Sequence, residues 1–597
     1  MPRPLVYIET FGCQMNELDS ELVCGSLRAL GYGFTSAPET AGVVLYNTCS
    51  VRDHAEQKVR SRLGEMALRK KEDPALVVAV LGCMAERDGA DMIKRFPVVD
   101  ILCGPGELDK LPAMVDNAVR TSEFHRGKAE GVEPATAAST PAEAVSPGER
   151  DFSLLRELRV SAVNPPRSKQ VALQGNASRR SATLAAAADS LEMLDLSRSV
   201  APDDHGGSAY VRITRGCNKF CTYCVVPSTR GAEVHRPPEH IIDECRMLAD
   251  AGVIEVTLLG QTVNHYRFEH GSAVTLGGVI QPQKGRSYQG GHRRDPFAGE
   301  KVTTFAGLLH EIHEKVPAIQ RLRFVTSYPR DFGDDVLEVI RDSPRICRYL
   351  HVPAQSGSDA MLKAMNRGYT VAEYLEFIDR ARSFLHQPEK DRPLTIAGDI
   401  IAGFCGETED DHRATAALLE RVRYKNCFIF KYSPRPGTAA FDRLPDDVPE
   451  ETKRRRVNEL LAVQSRISDE ISREYVGHEA TVFVQGLSAR ASKAKRRREK
   501  AAAGAGSIGL TINGASPRGT HDHDQDDHEA CATDAAPRAM EFEDDTDAPV
   551  QLSGRTEGDL IVVFDCPSGR SPESYVGTLQ RVRITAANLL TMTAELV

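Results

Sequence analysis

Nowhere in these 597 residues does an apolar run reach the length that would carry a helix across a bilayer. The opening MPRPLVYIETFGCQ has no basic stretch followed by an apolar one, so no secretory leader is expected. An excess of basic charge is missing too. The net charge of −9 excludes a uniformly basic nucleic-acid binder but leaves room for a local basic face. These absences predict a cytoplasmic protein with no membrane partner, where cysteines stay reduced and grouped ones more often hold metal than pair. The most informative shortage lies in RITRGCNKFCTYCVVPSTRG, residues 212–231, where Cys217, Cys221 and Cys224 have no fourth partner. His205 precedes Gly206 and Gly207, and His235 lies beyond an expected turn. A structural zinc site takes four protein ligands, whereas an iron–sulfur cube tolerates three thiolates if something else completes the fourth iron.

A chain this long predicts several domains, and its composition shifts along its length. The fold class expected is α/β. Residues 1–122 alternate short apolar runs with helical patterns, the mark of a doubly wound parallel sheet. LVYI (5–8), VVLYN (43–47) and ALVVAVL (75–81) read as buried strands. Between the first two, Asn16 is the expected N-cap of a helix and Gly31 its C-terminal stop. Residues 123–207 are rich in Ala, Ser, Pro and Glu, which predicts a disordered linker with a short helix near 151–158. Repeated βα units over 208–472 predict a (β/α) partial barrel, interrupted by a low-complexity insert at 267–301. Short alternating strands over 473–597 predict a small β-barrel with an insert at 489–548.

Cys13, Cys49 and Cys83 each sit just past one of the three N-terminal strands, at intervals of 36 and 34 residues. Carboxyl ends of neighbouring parallel strands lie side by side, at the edge where open α/β sheets bind ligands. Any one of these cysteines could be a small buried hydrophobe. Three in phase with the repeat favour a shared metal site.

The spacing Cys217-x3-Cys221-x2-Cys224 resembles that of the radical S-adenosylmethionine enzymes. There the amino and carboxylate groups of S-adenosylmethionine chelate the fourth iron, and reduction yields a 5′-deoxyadenosyl radical. The stretches TFGCQMNELDSE, NTCSVRDHAEQK, GCMAER, GCNKFCTYCVVPSTRG, LLGQTVNHY, HVPAQSGS, AMNRGYT, DIIAGFCGET and YSPRPGTAA are similar to the methylthiotransferases of that group. Within it they most resemble the type acting on isopentenyladenosine in tRNA. QLSGRTEGDLIVVF resembles the family's TRAM domain, an RNA-binding β-barrel.

The resemblance implies two [4Fe-4S] clusters. Cys217, Cys221 and Cys224 would hold the one that binds and cleaves S-adenosylmethionine, and Cys13, Cys49 and Cys83 an auxiliary one carrying the sulfur to be inserted. It places Tyr223 against the adenine, and Gln355, Ser356, Asp399 and Glu407 around the ribose and amino acid. It implies a methylthio group added at C2 of N6-dimethylallyladenosine, position 37 of tRNA. An aromatic C–H has no acidic proton to lose, so a radical suits this insertion. One S-adenosylmethionine would give the methyl group and a second the radical. The partners implied are tRNA carrying isopentenyladenosine and a flavodoxin- or ferredoxin-type electron donor; the source of the sulfur stays open, and the chain is expected to be a monomer.

Cys405, Tyr328 and Ser228 depart from the family's usual residues, and Cys405 is expected to pack rather than to ligate. Cys24, Cys103, Cys245, Cys347, Cys427, Cys531 and Cys566 are scattered and read as structural. HDHDQDDH (521–528) reads as a solvated acidic run, and RASKAKRRREK as a solvated loop or an added hold on RNA phosphates. Three alternatives remain at this point: a sister enzyme for threonylcarbamoyladenosine, one for an aspartate of a ribosomal protein, and a non-catalytic iron–sulfur RNA-binding protein.

Overall fold

A computed structural model describes residues 3–50, 53–129, 169–174, 189–198, 206–285, 301–388, 392–502, 550–589 and 591–597. The N-terminal unit is a parallel sheet in the order β1 (Val6–Phe11), β2 (Val43–Thr48), β3 (Val77–Gly82), β4 (Ile101–Cys103) and β5 (Gln170–Ala172). Every residue of β2 and β3 is buried, as their unbroken apolar runs require when both faces of a parallel sheet are covered. One face carries α1 (Gln14–Ala29) on Val6, Val43, Leu45 and Val77; the other carries α2 (Asp53–Glu72) on Tyr7, Val44, Tyr46 and Val78. The short helices α3 (Cys83–Asp88) and α4 (Ala90–Arg95) follow β3, and α5 (Leu111–Ala129) follows β4.

Two expectations are corrected here. The N-cap of α1 is Cys13, not Asn16, because the chain turns out of β1 at Gly12 and enters the helix at once. Asn16 is instead buried inside the helix and donates to Asn47 at 3.0 Å. Nor is 123–207 only a linker. Within it, α5 continues to Ala129, β5 closes the sheet, and α6 (Ser190–Leu196) folds against the domain. Composition hides this because α6 needs only Leu191 and Leu194 as apolar anchors, while charged neighbours fix the rest. The helix expected near 151–158 lies outside the described residues.

The central unit opens with β6 (Ser208–Arg212), parallel to Glu255–Leu259, which pairs with Arg321–Phe324. A second parallel trio comprises Tyr349–His351, Thr395–Ala402 and Asn426–Lys431. Leu322 N donates to Arg345 O at 2.8 Å and Cys347 N to Leu322 O at 2.9 Å, so the two trios join into the partial barrel expected. Its apolar core is continuous from Val211 through Leu258, Leu322 and Leu350 to Ile400 and Leu419. The insert at 267–301 is ordered where described. It forms short antiparallel pairings, one of which sets Gln283–Lys284 against Val234–His235.

The C-terminal unit is a closed five-stranded barrel built from Glu479–Leu487, Gln551–Thr556, Ile561–Asp565, Leu579–Ala587 and Thr591–Leu596. Closure leaves no free sheet edge, consistent with a module that sits beside another domain without aggregating. Arg321 fastens it to the core by donating to Arg555 O at 2.8 Å and Thr481 O at 2.6 Å. RASKAKRRREK begins a helix, Ala489–Ala502, rather than a loop; HDHDQDDH and Cys531 lie outside the described residues. Among the described residues, no helix is long and apolar enough to cross a membrane.

Candidate active site

Register alone brings the first three cysteines together. Phe11 pairs with Thr48 and Thr48 with Gly82, so the carboxyl ends of β1, β2 and β3 are level. Cys49 and Cys83 follow those ends by one residue and Cys13 by two. The approach is close enough to demand glycine. A Cβ at Gly12, whose φ is +134°, would stand 2.4 Å from Cys49 Cβ; one at Gly82, φ +87°, would meet Asn47 Oδ1 at 2.5 Å. Asn47 in turn donates to Asn16 O at 2.8 Å and Ser20 Oγ at 3.0 Å, which ties the helix to the sheet beneath the thiols. Cys13 Sγ lies 3.3 Å from Asn16 Oδ1.

Electrostatics favour thiolate at Cys13. The hydrogen bond from Cys49 pulls the Cys13 thiol well below its ordinary value, burial opposes, and the charge of Arg230 adds to the pull. Burial pushes Cys83 up, partly offset by Arg230. Thiolates are the form that binds metal. Arg230 is supplied by the other domain, six residues past Cys224, and is held by Asn16 Oδ1 at 3.2 Å and Asp19 Oδ2 at 2.8 Å.

Cys217, Cys221 and Cys224 lie on a loop that leaves the two-residue strand Thr214–Arg215 through Gly216, φ +68°. The loop is fixed by its backbone. Thr222 N donates to Met365 O at 3.1 Å, Ala440 N donates to Thr222 O at 2.8 Å, and Asn366 Nδ2 donates to Phe220 O at 3.0 Å. As residues all three are half-buried, as Cys13 is, whereas Cys49 and Cys83 are buried, and burial pushes the Cys217 and Cys224 thiols up. Arg367 donates to Cys221 Sγ at 3.3 Å, to Tyr223 Oη at 3.5 Å and to Tyr369 Oη at 2.9 Å. Its guanidinium also lies 4.7 Å from the centre of the Tyr328 ring, with Lys219 Nζ at 4.5 Å from the same ring.

Among the described residues, the triplets of potential ligand atoms within 4.8 Å of one another contain no cysteine. Thiolates on one tetrahedral zinc would stand about 3.8 Å apart, given Zn–S near 2.3 Å. In neither cysteine set do all three sulfurs come within 4.8 Å of one another, and an all-thiolate donor set of three is of the kind that holds an iron–sulfur cluster.

The other residues singled out from sequence divide. Gln355, at φ +73°, pairs by backbone with the strand Thr395–Ala402, donating to Asp399 O at 2.8 Å and accepting from Ile401 N at 2.9 Å. Asp399 lies 3.2 Å from His351 Nε2. Tyr223, itself on the cluster loop, accepts from Arg367 at 3.5 Å. Ser356 and Glu407, in contrast, turn their oxygens to structural partners. Ser356 Oγ accepts from Ser358 N and lies 3.4 Å from Thr415 Oγ1, while Glu407 accepts from Gly403 N at 2.7 Å and Arg456 at 2.8 Å. Cys405 packs with Met361, Met365, Phe404 and Tyr432, as expected. Sequence reading passed over Arg230 and Arg367, although both lie inside quoted motifs, STRG and MNRGYT. A basic residue six positions past grouped cysteines is the signal that would have found Arg230; Arg367 lies far along the chain and carries no such signal.

The two domains meet through buried ion pairs. Arg212 donates to Asp19 at 3.0 Å and to Asp195 on α6 at 2.6 Å; Arg236 contacts Glu192 at 2.9 Å and Glu244 at 2.7 Å; Arg198 contacts Glu21 at 2.8 Å and Glu244 at 2.7 Å. Removing one partner from such a pair typically costs about 3–5 kcal/mol, because a buried charge is left uncompensated.

Residues 5–104 match the model described as Uncharacterized protein family UPF0004, and residues 211–419 match the Radical SAM superfamily, which implies a [4Fe-4S] cluster and S-adenosylmethionine. The tRNA-2-methylthio-N(6)-dimethylallyladenosine synthase of Rhodopirellula baltica is 41% identical over 488 residues, covering 82% of this chain and 85% of that one. The synthase of the same name from Bacteroides fragilis is 37% identical over 593 residues, 99% of this chain and 95% of the relative. Among solved structures, the radical S-adenosylmethionine methyltransferase TsrM from Kitasatospora setae is similar with a TM-score of 0.40 and 14% identity, over 73% of this chain and 74% of that one. Two thiol triads on a parallel sheet and a partial barrel, the two family models and relatives matched over most of their length lead to one assignment: the chain belongs to the radical S-adenosylmethionine methylthiotransferases, in the family of the tRNA-2-methylthio-N(6)-dimethylallyladenosine synthases.

Proposed function

We propose that this chain adds a methylthio group to C2 of N6-dimethylallyladenosine at position 37 of tRNA. The observation that carries the reading is Arg230, which follows the second thiol set by six residues in the chain and sets its charge on Cys13 and Cys83 of the first. A [4Fe-4S] cluster on Cys217, Cys221 and Cys224 would supply the electron that cleaves S-adenosylmethionine, and a second on Cys13, Cys49 and Cys83 would present the sulfur.

The chain's own residues do the rest. Arg367 fixes the rotamers of Tyr223 and Tyr369 beside the cluster loop and sets a positive charge next to Cys221. Tyr223 offers its ring to the adenine, and Gln355 and Asp399, joined by backbone pairing across neighbouring segments, suit the polar groups of S-adenosylmethionine. Arg230 stabilises the thiolates of the auxiliary set. The C-terminal barrel holds RNA, with Arg581 and Arg583 exposed on one strand and a basic helix leaving another. A flavodoxin- or ferredoxin-type protein delivers the electrons, and the enzyme acts as a monomer.

The test is nucleoside analysis by mass spectrometry of tRNA from a host deleted for its own enzyme of this class. Supplying this chain should convert N6-dimethylallyladenosine to its 2-methylthio derivative. If the unthiolated nucleoside persists while methylthiolated threonylcarbamoyladenosine or a modified ribosomal aspartate appears, the substrate is wrong. If neither product nor 5′-deoxyadenosine forms, the radical mechanism is wrong.

A further inference from the structure

Glu233, His235 and His265 form a compact cluster that neither thiol triad uses. Glu233 and His235 alternate along an extended segment just past the cluster loop, so their side chains share one side. His265 ends a short 3-10 turn, Val263–His265, after the strand Glu255–Leu259. Their ligand atoms lie within 4.8 Å of one another, and all three residues are buried. Glu233 Oε1 is 2.8 Å from His235 Nε2 and 2.5 Å from His265 Nδ1. Its other oxygen, Oε2, is buried with no hydrogen-bond partner. A carboxylate 1% exposed with one oxygen unsatisfied is costly unless something else meets it.

We infer that Glu233, His235 and His265 bind one divalent transition-metal ion of the zinc class. Two imidazole nitrogens and a carboxylate are the donors such an ion prefers over calcium or magnesium. The ion takes each neutral imidazole in the tautomer whose single proton sits on the nitrogen away from Glu233, so the lone pairs of His235 Nε2 and His265 Nδ1 face the ion, and Oε2 can serve as a second carboxylate contact. The outer contacts are in place. With Nε2 on the ion, His235 carries its proton on Nδ1, 2.6 Å from the carbonyl of Arg267, and gives up the hydrogen bond that Arg267 N donates to Nδ1 at 2.8 Å in the ion-free tautomer. Gly285 of the insert leaves the space free, since a Cβ there would come within 2.9 Å of His235 Nε2.

The ion would act as a clamp. Glu233 N donates to Asn218 Oδ1 at 3.1 Å, and Asn218, the residue after Cys217, donates to Gly285 O at 3.1 Å. One ion thus fixes the cluster loop, the following strand and the insert at Gly285 together, which gives that stretch of the insert a purpose beyond filling a gap.

The test uses the full chain with both iron–sulfur clusters reconstituted anaerobically, then exposed to one equivalent of zinc chloride and desalted. About one zinc per chain is expected, with an X-ray absorption edge showing nitrogen and oxygen neighbours at about 2.0–2.1 Å. His265→Asn and Glu233→Gln should lose the zinc while keeping the iron, and should also lose a zinc-induced rise in Tm seen in the unsubstituted chain. No retained zinc, sulfur neighbours at about 2.3 Å, or unchanged retention in both variants overturns the proposal. The absorption spectrum of the unsubstituted chain decides even if a variant fails to fold.

Discussion

Arg230 and Asp19 meet at 2.8 Å across the boundary between two domains, and each does a second task there. Asp19, buried on α1, also receives Arg212 at 3.0 Å. Arg230 also supplies positive charge to Cys13 and Cys83. A contact between domains thereby also bears on the first set of thiols.

Arg230→Ala should lower iron bound by the first thiol set while leaving the other cluster. Since Asp19 keeps Arg212, the loss of stability should fall at or below about 3 kcal/mol, the low end for a broken buried pair. Iron per chain after reconstitution, together with urea unfolding, checks both parts. Unchanged iron would mean the guanidinium serves packing alone.

Cys221→Ala should abolish formation of 5′-deoxyadenosine, whereas Cys49→Ala should spare it and stop sulfur insertion. The two products are read from the same anaerobic assay by mass spectrometry. Repeated turnover to methylthiolated tRNA in Cys49→Ala would remove the auxiliary role of the first set.

Gly12→Ala places a methyl carbon 2.4 Å from Cys49 Cβ at a φ of +134°, so backbone and thiol must both shift. A cost of about 1–3 kcal/mol is expected from the conformation. The more telling readout is the absorbance of the auxiliary cluster, which should fall with the second cluster unaffected.

His351 is lowered by burial but raised more by Asp399, so its folded pKa lies above the ordinary 6.5. The pair's contribution to stability is therefore complete below the unfolded value and fades as pH rises through the folded one. Asp399→Asn should destabilise the protein more at pH 6 than at pH 9, measured by urea unfolding. An equal loss at both would show that the charge on His351 is not involved.

The two cysteine sets stand out in the sequence because each member marks a strand end or a short fixed spacing, and the structure does bring level the three strand ends that precede Cys13, Cys49 and Cys83. The three-unit architecture was legible for the same reason. What escaped was everything that depends on partners far away in sequence. α6 looks like low-complexity chain until Glu192 and Asp195 meet Arg236 and Arg212. Asn16 has the composition of a cap, yet the tight exit at Gly12 starts the helix early and Asn16 is drawn to Asn47 instead. Glu407 sits in a motif beside a strand end, but Arg456, from a helix far along the chain, claims its carboxylate.

The ion-pair seam also governs how these enzymes can be rearranged. Asp19 and Glu21 come from the first unit, Asp195 from the segment between units, and Arg212 and Arg230 from the second. A chimera that imports the first unit from a relative inherits half of each pair. Unless the matching arginines and α6 travel with it, the graft leaves unpaired charge beside one set of thiols. Recombination between relatives should therefore succeed at the barrel junction far more readily than at the junction before β6.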